Sequence, residues 1–183
     1  MALASGPLIV TERLELSVPR KDDGALLHAI VSHPETARHL GPRDGMAGHF
    51  QRFSRNAGSW WLYGYGAFTM RLRDSGDVIG NCGVFHSWRG LGEDFDDRPE
   101  AGWILRHDQV GLGLAREAMV AALEWFDRTQ GARSIVCMVA PANTASLRLA
   151  ARLGFAEMRT ALLPDGDPVK LFARTGREAA AAD

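Results

Sequence analysis

Residues 100–155 constrain the fold of this 183-residue chain more than any other stretch. Glu100-Ala101-Gly102-Trp103-Ile104-Leu105 reads as a strand, Gln109 to Ala115 as a glycine-bearing turn, and about 113–129 as the longest helix of the chain. Ala115, Met119, Ala122 and Phe126 fall on one stripe of that helix, with Glu117, Glu124 and Arg128 opposite, and Gly131 closes it. Ser134-Ile135-Val136-Cys137-Met138-Val139 is almost wholly apolar, as a central strand covered on both faces is. A helix from Asn143 to Leu153 then ends at Gly154. Strand, helix and buried strand in this order demand an α/β arrangement with helices packed on a sheet.

The flanking sequence extends the sheet. Leu8-Ile9-Val10 and Arg13 to Val18 alternate as a half-buried strand does, Ala67 to Leu72 is a strand, Asp74 to Asp77 a hairpin turn, and Val78 to Phe85 the return strand. Asp22 and Asp23 are expected to cap a helix carrying Leu26, Leu27 and Ile30, which His33-Pro34 ends. The polar, glycine-dotted stretch 43–56 reads as a weak helix in a mobile flap, and Arg89 to Pro99 as an acidic loop. Two short strands are expected at the end. One domain over 1–183 is expected, with an ordered core at about 8–174 and flexible ends at 1–7 and 175–183.

Several functions are excluded early. The net charge of −1 gives no general pull toward nucleic acid or an anionic membrane. No run approaches the ~20 apolar residues a membrane span needs, and the start lacks a signal-peptide pattern, so a cytoplasmic protein is expected. The six histidines show no metal-ligand spacing, and no nucleophile elbow is present. Cys82 and Cys137 lie within apolar runs and read as buried free thiols.

Val110-Gly111-Leu112-Gly113-Leu114-Ala115 turns from strand to helix through small residues, whose N–H groups can approach an anion at a helix N-terminus. Taken alone, it serves equally as a turn without ligand. A P-loop would need Gly-Lys-Ser/Thr, which the chain lacks. A dinucleotide fingerprint would need a small residue at Arg116 and a carboxylate near Val136 to Val139, and has neither.

The order of Thr11-Glu12-Arg13-Leu14-Glu15-Leu16, Pro34 to Leu40, Pro99 to Leu105, the glycine loop, Asn143-Thr144-Ala145-Ser146 and Arg152-Leu153-Gly154-Phe155 resembles the GNAT superfamily of N-acetyltransferases, in its RimJ/RimL-like branch. Gly113 and Ala115 match the family's pyrophosphate loop, while Val110 stands where a Gln or Arg is usual. The resemblance implies a central mixed, mostly antiparallel sheet, splayed near 100–105 and 134–139, with helices on both faces. It implies acetyl transfer from acetyl-CoA to a primary amine by direct attack in a ternary complex, without a metal. A non-catalytic acyl-CoA sensor of the same fold is the rival reading, and a homodimer is left open.

Backbone groups of Ile104, Leu105 and Arg106 would then line the pantetheine and acetyl carbonyl, with an N–H near Leu105 as oxyanion donor. Asn143 would hold the pantetheine arm, and Ser146 would protonate the departing thiolate, because the tyrosine many relatives use is replaced by Ala150. Glu100 is the candidate base, expected to be half-buried; a solvated loop end or an anchor for a cationic substrate remain alternatives. Arg148 or Arg152 would meet the 3′-phosphate, with a solvent-facing helix charge as the alternative for each, and aromatic residues near 60–65 and 86–90 would form part of an acceptor groove.

Overall fold

The computed structural model describes residues 6–41 and 45–176. The flexible ends expected at 1–7 and 175–183 therefore fall largely outside the described residues. Eight strands form one sheet in the order β1-β2-β3-β4-β5-β6-β8-β7. They are β1 (Ile9–Val10), β2 (Leu14–Ser17), β3 (Ala67–Leu72), β4 (Val78–Ser87), β5 (Arg98–Leu105), β6 (Ile135–Val139), β7 (Ala156–Leu162) and β8 (Pro168–Arg174). The β5–β6 pairing is parallel and all others are antiparallel. The mixed, mostly antiparallel sheet anticipated from the sequence is present.

Alternation along β3 shows how two faces are covered. Phe68 and Met70 point into the main core with Leu14, Leu16, Cys82 and Val84, where Met119, Ala122 and Phe126 of α4 (Leu114–Gln130) pack. Thr69 and Arg71 point the other way and bind the buried carboxylate of Asp23, the first residue of α1 (Asp23–Ser32). The expected cap is thus absent. Asp22 makes no side-chain cap, and Asp23 ties α1 to the sheet instead. Leu27 and Ile30 are buried as expected, but Leu26 faces solvent.

Three expectations need correction. The stretch read as a polar flap begins outside the described residues at 43 and 44, and from Met46 on it belongs to α3 (Met46–Tyr63), an 18-residue helix one residue longer than α4. Its C-terminal half carries the anchors: Trp60 is buried, and its indole N–H donates to Ala67 O at 3.0 Å. The alternating N-terminal pattern is two strands of a tight pair, with Ile9 opposite Leu16. The closing strands β7 and β8 are seven residues each, not short, and β8 inserts beside β6. A four-residue helix, α2 (Pro34–Ala37), follows α1, and α5 (Thr144–Arg152) follows β6.

Candidate functional site

The sheet opens at one place. β5 and β6 run parallel but pair only at Glu100 and Val136, after which the strands diverge. The gap becomes a cleft of about 850 Å³, bounded by Gly102, Trp103 and Ile104 on one side and Met138, Val139 and Ala140 on the other. This is the splay the sequence led us to expect. Antiparallel pairing with β4 is complete along β5, from Ser87–Arg98 to Gly80–Leu105.

Which backbone groups face the gap follows from that pairing. The N–H of Arg106 donates to Ile79 O at 2.7 Å, and residues opposite one another alternate between bonded and non-bonded pairs. Ile104, opposite Asn81, therefore bonds toward β4, and its carbonyl lies against Gly80. A Cβ at Gly80 would sit 2.0 Å from that oxygen, and φ is +152°, so only glycine fits. Leu105 and Trp103 fall on the alternate set and turn their N–H and C=O groups toward the gap. Of the three backbone segments expected to meet an acyl donor, Leu105 has its N–H and C=O on the edge away from β4, whereas Arg106 spends its N–H inside the sheet.

Beyond β5, a 3₁₀ turn (His107–Gln109) leads into the glycine loop. Gly111 and Gly113 have φ of +88° and +79°, conformations that L side chains rarely adopt. Val110 and Leu112 are exposed, and Leu114 is buried under the start of α4. The first N–H of α4 taken up by a carbonyl is that of Glu117, from Gly113 O at 3.1 Å. The donors ahead of it, including those of Leu114 and Ala115, stand at the positive end of a helix with no side-chain cap. Arg13 braces this turn: its Nη1 donates to Leu112 O at 2.9 Å, and its Nε to Glu117 at 2.7 Å. The loop does not line the cleft itself; β5 joins the two.

Across the gap stands the N-terminus of α5. Asn143 caps it, its Oδ1 accepting from the Ser146 N–H at 3.1 Å. The Ser146 hydroxyl has a different engagement, accepting the indole N–H of Trp103 at 3.1 Å. Both Asn143 and Ser146 line the cleft, together with Glu100 and Ile104. Ala150 is wholly buried and contributes nothing there.

Glu100 is buried, 3% exposed, rather than half-buried. Arg89 grips both its oxygens at 2.8 Å, and Ser87 donates to Oε2 as well. The reading as a solvated loop end is thereby corrected: the strand carries it into the floor of the cleft. The acidic loop is likewise not a loose flap. Phe95 is 1% exposed, and Asp96 accepts three backbone N–H bonds from Arg89, Leu91 and Gly92 at 2.8–3.1 Å. Burial raises the Asp96 pKa, but these donors outweigh it and leave it below the ordinary value. Asp94 pairs with Arg159 at 2.7 Å, and Asp97 lies beside His86 at 3.1 Å.

Other expectations divide. Of the aromatic residues, Phe85 lines the cleft, Trp60 and Tyr65 are core, and Trp61, Tyr63 and Trp88 are exposed outside it. Arg148 and Arg152 are exposed on α5. Cys82 and Cys137 are buried thiols, and burial pushes both pKa values well up. Among the described residues no group of three or more His, Cys, Asp or Glu could hold a metal ion, and no helix is long and apolar enough to cross a membrane. Sequence reasoning missed Trp103, Arg89, Ser87 and Arg55, which lines the cleft from α3. Trp103 was within reach, because it lies two residues from Leu105 on the same strand edge; Arg89 and Arg55 depend on tertiary packing.

Residues 13–156 match the acetyltransferase (GNAT) domain family. A GNAT-family acetyltransferase structure from Bordetella pertussis is similar at 32% identity, over 91% of this chain and 98% of that one, with a TM-score of 0.81. An acetyltransferase from Agrobacterium tumefaciens is similar at 26% identity, over 94% and 96%, with a TM-score of 0.78. A complex of AAC(6′)-Ib with paromomycin and acetyl-CoA shares the fold at 20% identity, over 93% and 100%, with a TM-score of 0.74. A match that runs from β2 through the glycine loop to β7, around a sheet open at one strand pair, makes this chain a member of the GNAT acetyltransferase family.

Proposed function

We propose that the chain transfers an acetyl group from acetyl-CoA to a primary amine by direct attack in a ternary complex. The observation that carries this reading is the unpaired edge of β5, where the alternation of bonds leaves the N–H and C=O groups of Trp103 and Leu105 unused by β4, with Trp103 in the cleft beside Ser146. The family membership and the acetyl-CoA held by AAC(6′)-Ib support the choice of donor. The RimJ/RimL-like branch stays part of the proposal, resting on the motifs at Thr11–Leu16 and Asn143–Ser146.

The backbone N–H groups from Gly111 to Ala115 would hold the pyrophosphate, at the positive end of α4. Val110, lacking a polar side chain, adds only its backbone. The pantetheine arm would lie along β5, pairing as an added strand does, with Asn143 on its far side. The Leu105 N–H then faces the developing oxyanion, a type of contact worth about 3 kcal/mol. The amine nitrogen attacks the thioester carbonyl, the carbon–sulfur bond breaks, and the CoA thiolate takes a proton from Ser146, whose oxygen regains one from cleft water as the amine's proton leaves Glu100 for solvent. Because the Trp103 N–H occupies an acceptor site of Ser146 Oγ, the hydroxyl hydrogen is left free to point elsewhere.

Glu100 would take the amine's proton through water. A carboxylate offers about four acceptor sites, of which Arg89 and Ser87 use three, leaving one on Oε1. Heating the protein with excess acetyl-CoA tests the donor site: ligand at 100 times its Kd adds about 2.7 kcal/mol of stability. Thiol release across an amine panel then separates an enzyme from a CoA-binding sensor. No stabilisation at millimolar acetyl-CoA would overturn the reading.

A further inference from the structure

The charges around the cleft are lopsided. Arg52 and Arg55 reach it from α3, and Arg89 from the β4–β5 loop. Glu100 is the acid at its floor, and Arg89 already engages both its oxygens. Among the described residues, Asp167, from the β7–β8 turn, is the other lining carboxylate. The acids of the loop before β5, Asp94, Asp96 and Asp97, do not line the cleft; the first two are committed to Arg159 and to backbone N–H groups.

Arg55 makes no hydrogen bond or ion pair among the described residues, yet stands beside Arg89 and Arg52. Partial loss of water and then the Arg89 charge lower its pKa from the ordinary value, with Glu100 opposing. A guanidinium with spare donors in a cleft shared with like charges favours an anion, and its planar fork suits a carboxylate. A polycation would meet the same guanidiniums as repulsion.

We propose that the acceptor is an amine that also carries a carboxylate, and that Arg55 reads this carboxylate in the cleft. This inference rests on the acyl-transfer reading above and narrows its substrate class. Arg55 approaches from α3 while the acetyl carbonyl would lie along β5, so one acceptor can place its anion on the helix and its amine toward the strand. A free amino acid and a peptide with an acidic residue near its N-terminus share this chemistry.

The test compares matched acceptors on the full chain. One arm sets an α-amino acid against its carboxamide; a second sets a peptide with Asp or Glu at its second position against the Asn or Gln counterpart; a third uses a polycationic aminoglycoside. The carboxylate member of at least one pair is expected to have kcat/KM about tenfold higher, expressed mainly in KM. Arg55→Gln should erase that preference and Arg55→Lys retain part of it, and the favoured arm identifies the source. Equal use of both pair members, preference for the aminoglycoside, or an unchanged preference in Arg55→Gln would overturn the inference. So would failure of every acceptor in protein that acetyl-CoA still stabilises. Loss of acetyl-CoA stabilisation itself marks failure of the underlying reading as well, and distinguishes the two.

Discussion

Trp103 Nε1 and Ser146 Oγ lie 3.1 Å apart and join β5 to α5 across the mouth of the splayed sheet. The Ser146 backbone N–H is satisfied separately by Asn143, so the helix is capped without the hydroxyl. The Ser146 side chain is therefore not needed to cap the helix. Its orientation is set by an indole from the strand that would carry the acyl donor.

If Ser146 protonates the thiolate, Ser146→Ala should lower kcat about 10²-fold, the lower end of what a positioned acid contributes. The KM for acetyl-CoA should stay near its starting value, since the cap survives. Trp103→Phe keeps the hydroxyl and loses its orientation, so a fall of about tenfold is expected. Steady-state kinetics with a saturating amine decide it; an unchanged kcat in Ser146→Ala would remove the residue from the mechanism.

Glu100 and Arg89 form the second coupled pair. Glu100→Gln leaves the Arg89 guanidinium, 24% exposed, without its counter-charge, at a cost of about 2 kcal/mol after allowing for that exposure. The melting temperature should drop by roughly 4–8 °C. Arg89→Gln in the same chain should recover much of this loss. A proton-accepting role predicts that kcat remains depressed in the double variant, whereas a purely structural role predicts recovery together with stability.

The elements proposed to form the donor side were legible because their signals are local. Small residues at Gly111 and Gly113, the apolar run at β6 and Asn at position 143 each state their conformation within a few residues. Helix α3 was misread because its N-terminal half is polar and exposed, and its stability comes from Ser59 and Trp60 bonding to Tyr65 and Ala67. The burial of Glu100 was invisible for a related reason. Nothing beside it in sequence discloses that Arg89, eleven residues earlier, returns across the sheet to meet it.

The glycine loop carries a prediction of its own, through Glu117. Its carboxylate accepts from Thr11 Oγ1 at 2.6 Å, from the Arg13 N–H at 2.9 Å and from Arg13 Nε at 2.7 Å. Glu117→Ala should cost about 2 kcal/mol and release Arg13 from the Leu112 carbonyl. Acetyl-CoA binding should then weaken about tenfold, because donors that must be ordered on binding add to its entropic cost. Arg13→Ala should reproduce the binding loss, measured by titration calorimetry on protein shown to be folded. Unchanged affinity in both variants would dissociate this clasp from the loop.

His49 sets the acid side of the stability profile. It sits on α3, 7% exposed, with Nε2–H donating to Gly24 O of α1 at 3.0 Å and His28 packed edge-on at 5.2 Å. Burial lowers its pKa below the usual value of about 6.5; the Gly24 carbonyl opposes this, and the charges of His28 and Arg52 add to it. The unfolded chain therefore binds the proton more readily than the fold does. Stability from this group is complete above pH ~6.5 and declines as pH falls from there toward the depressed folded-state pKa. Melting temperatures recorded from pH 8 down to pH 5 should show this decline beginning near 6.5. His49→Gln, which keeps a donor for Gly24 and cannot titrate, should flatten the curve in that window, and an equally steep decline in the variant would assign the effect to another group.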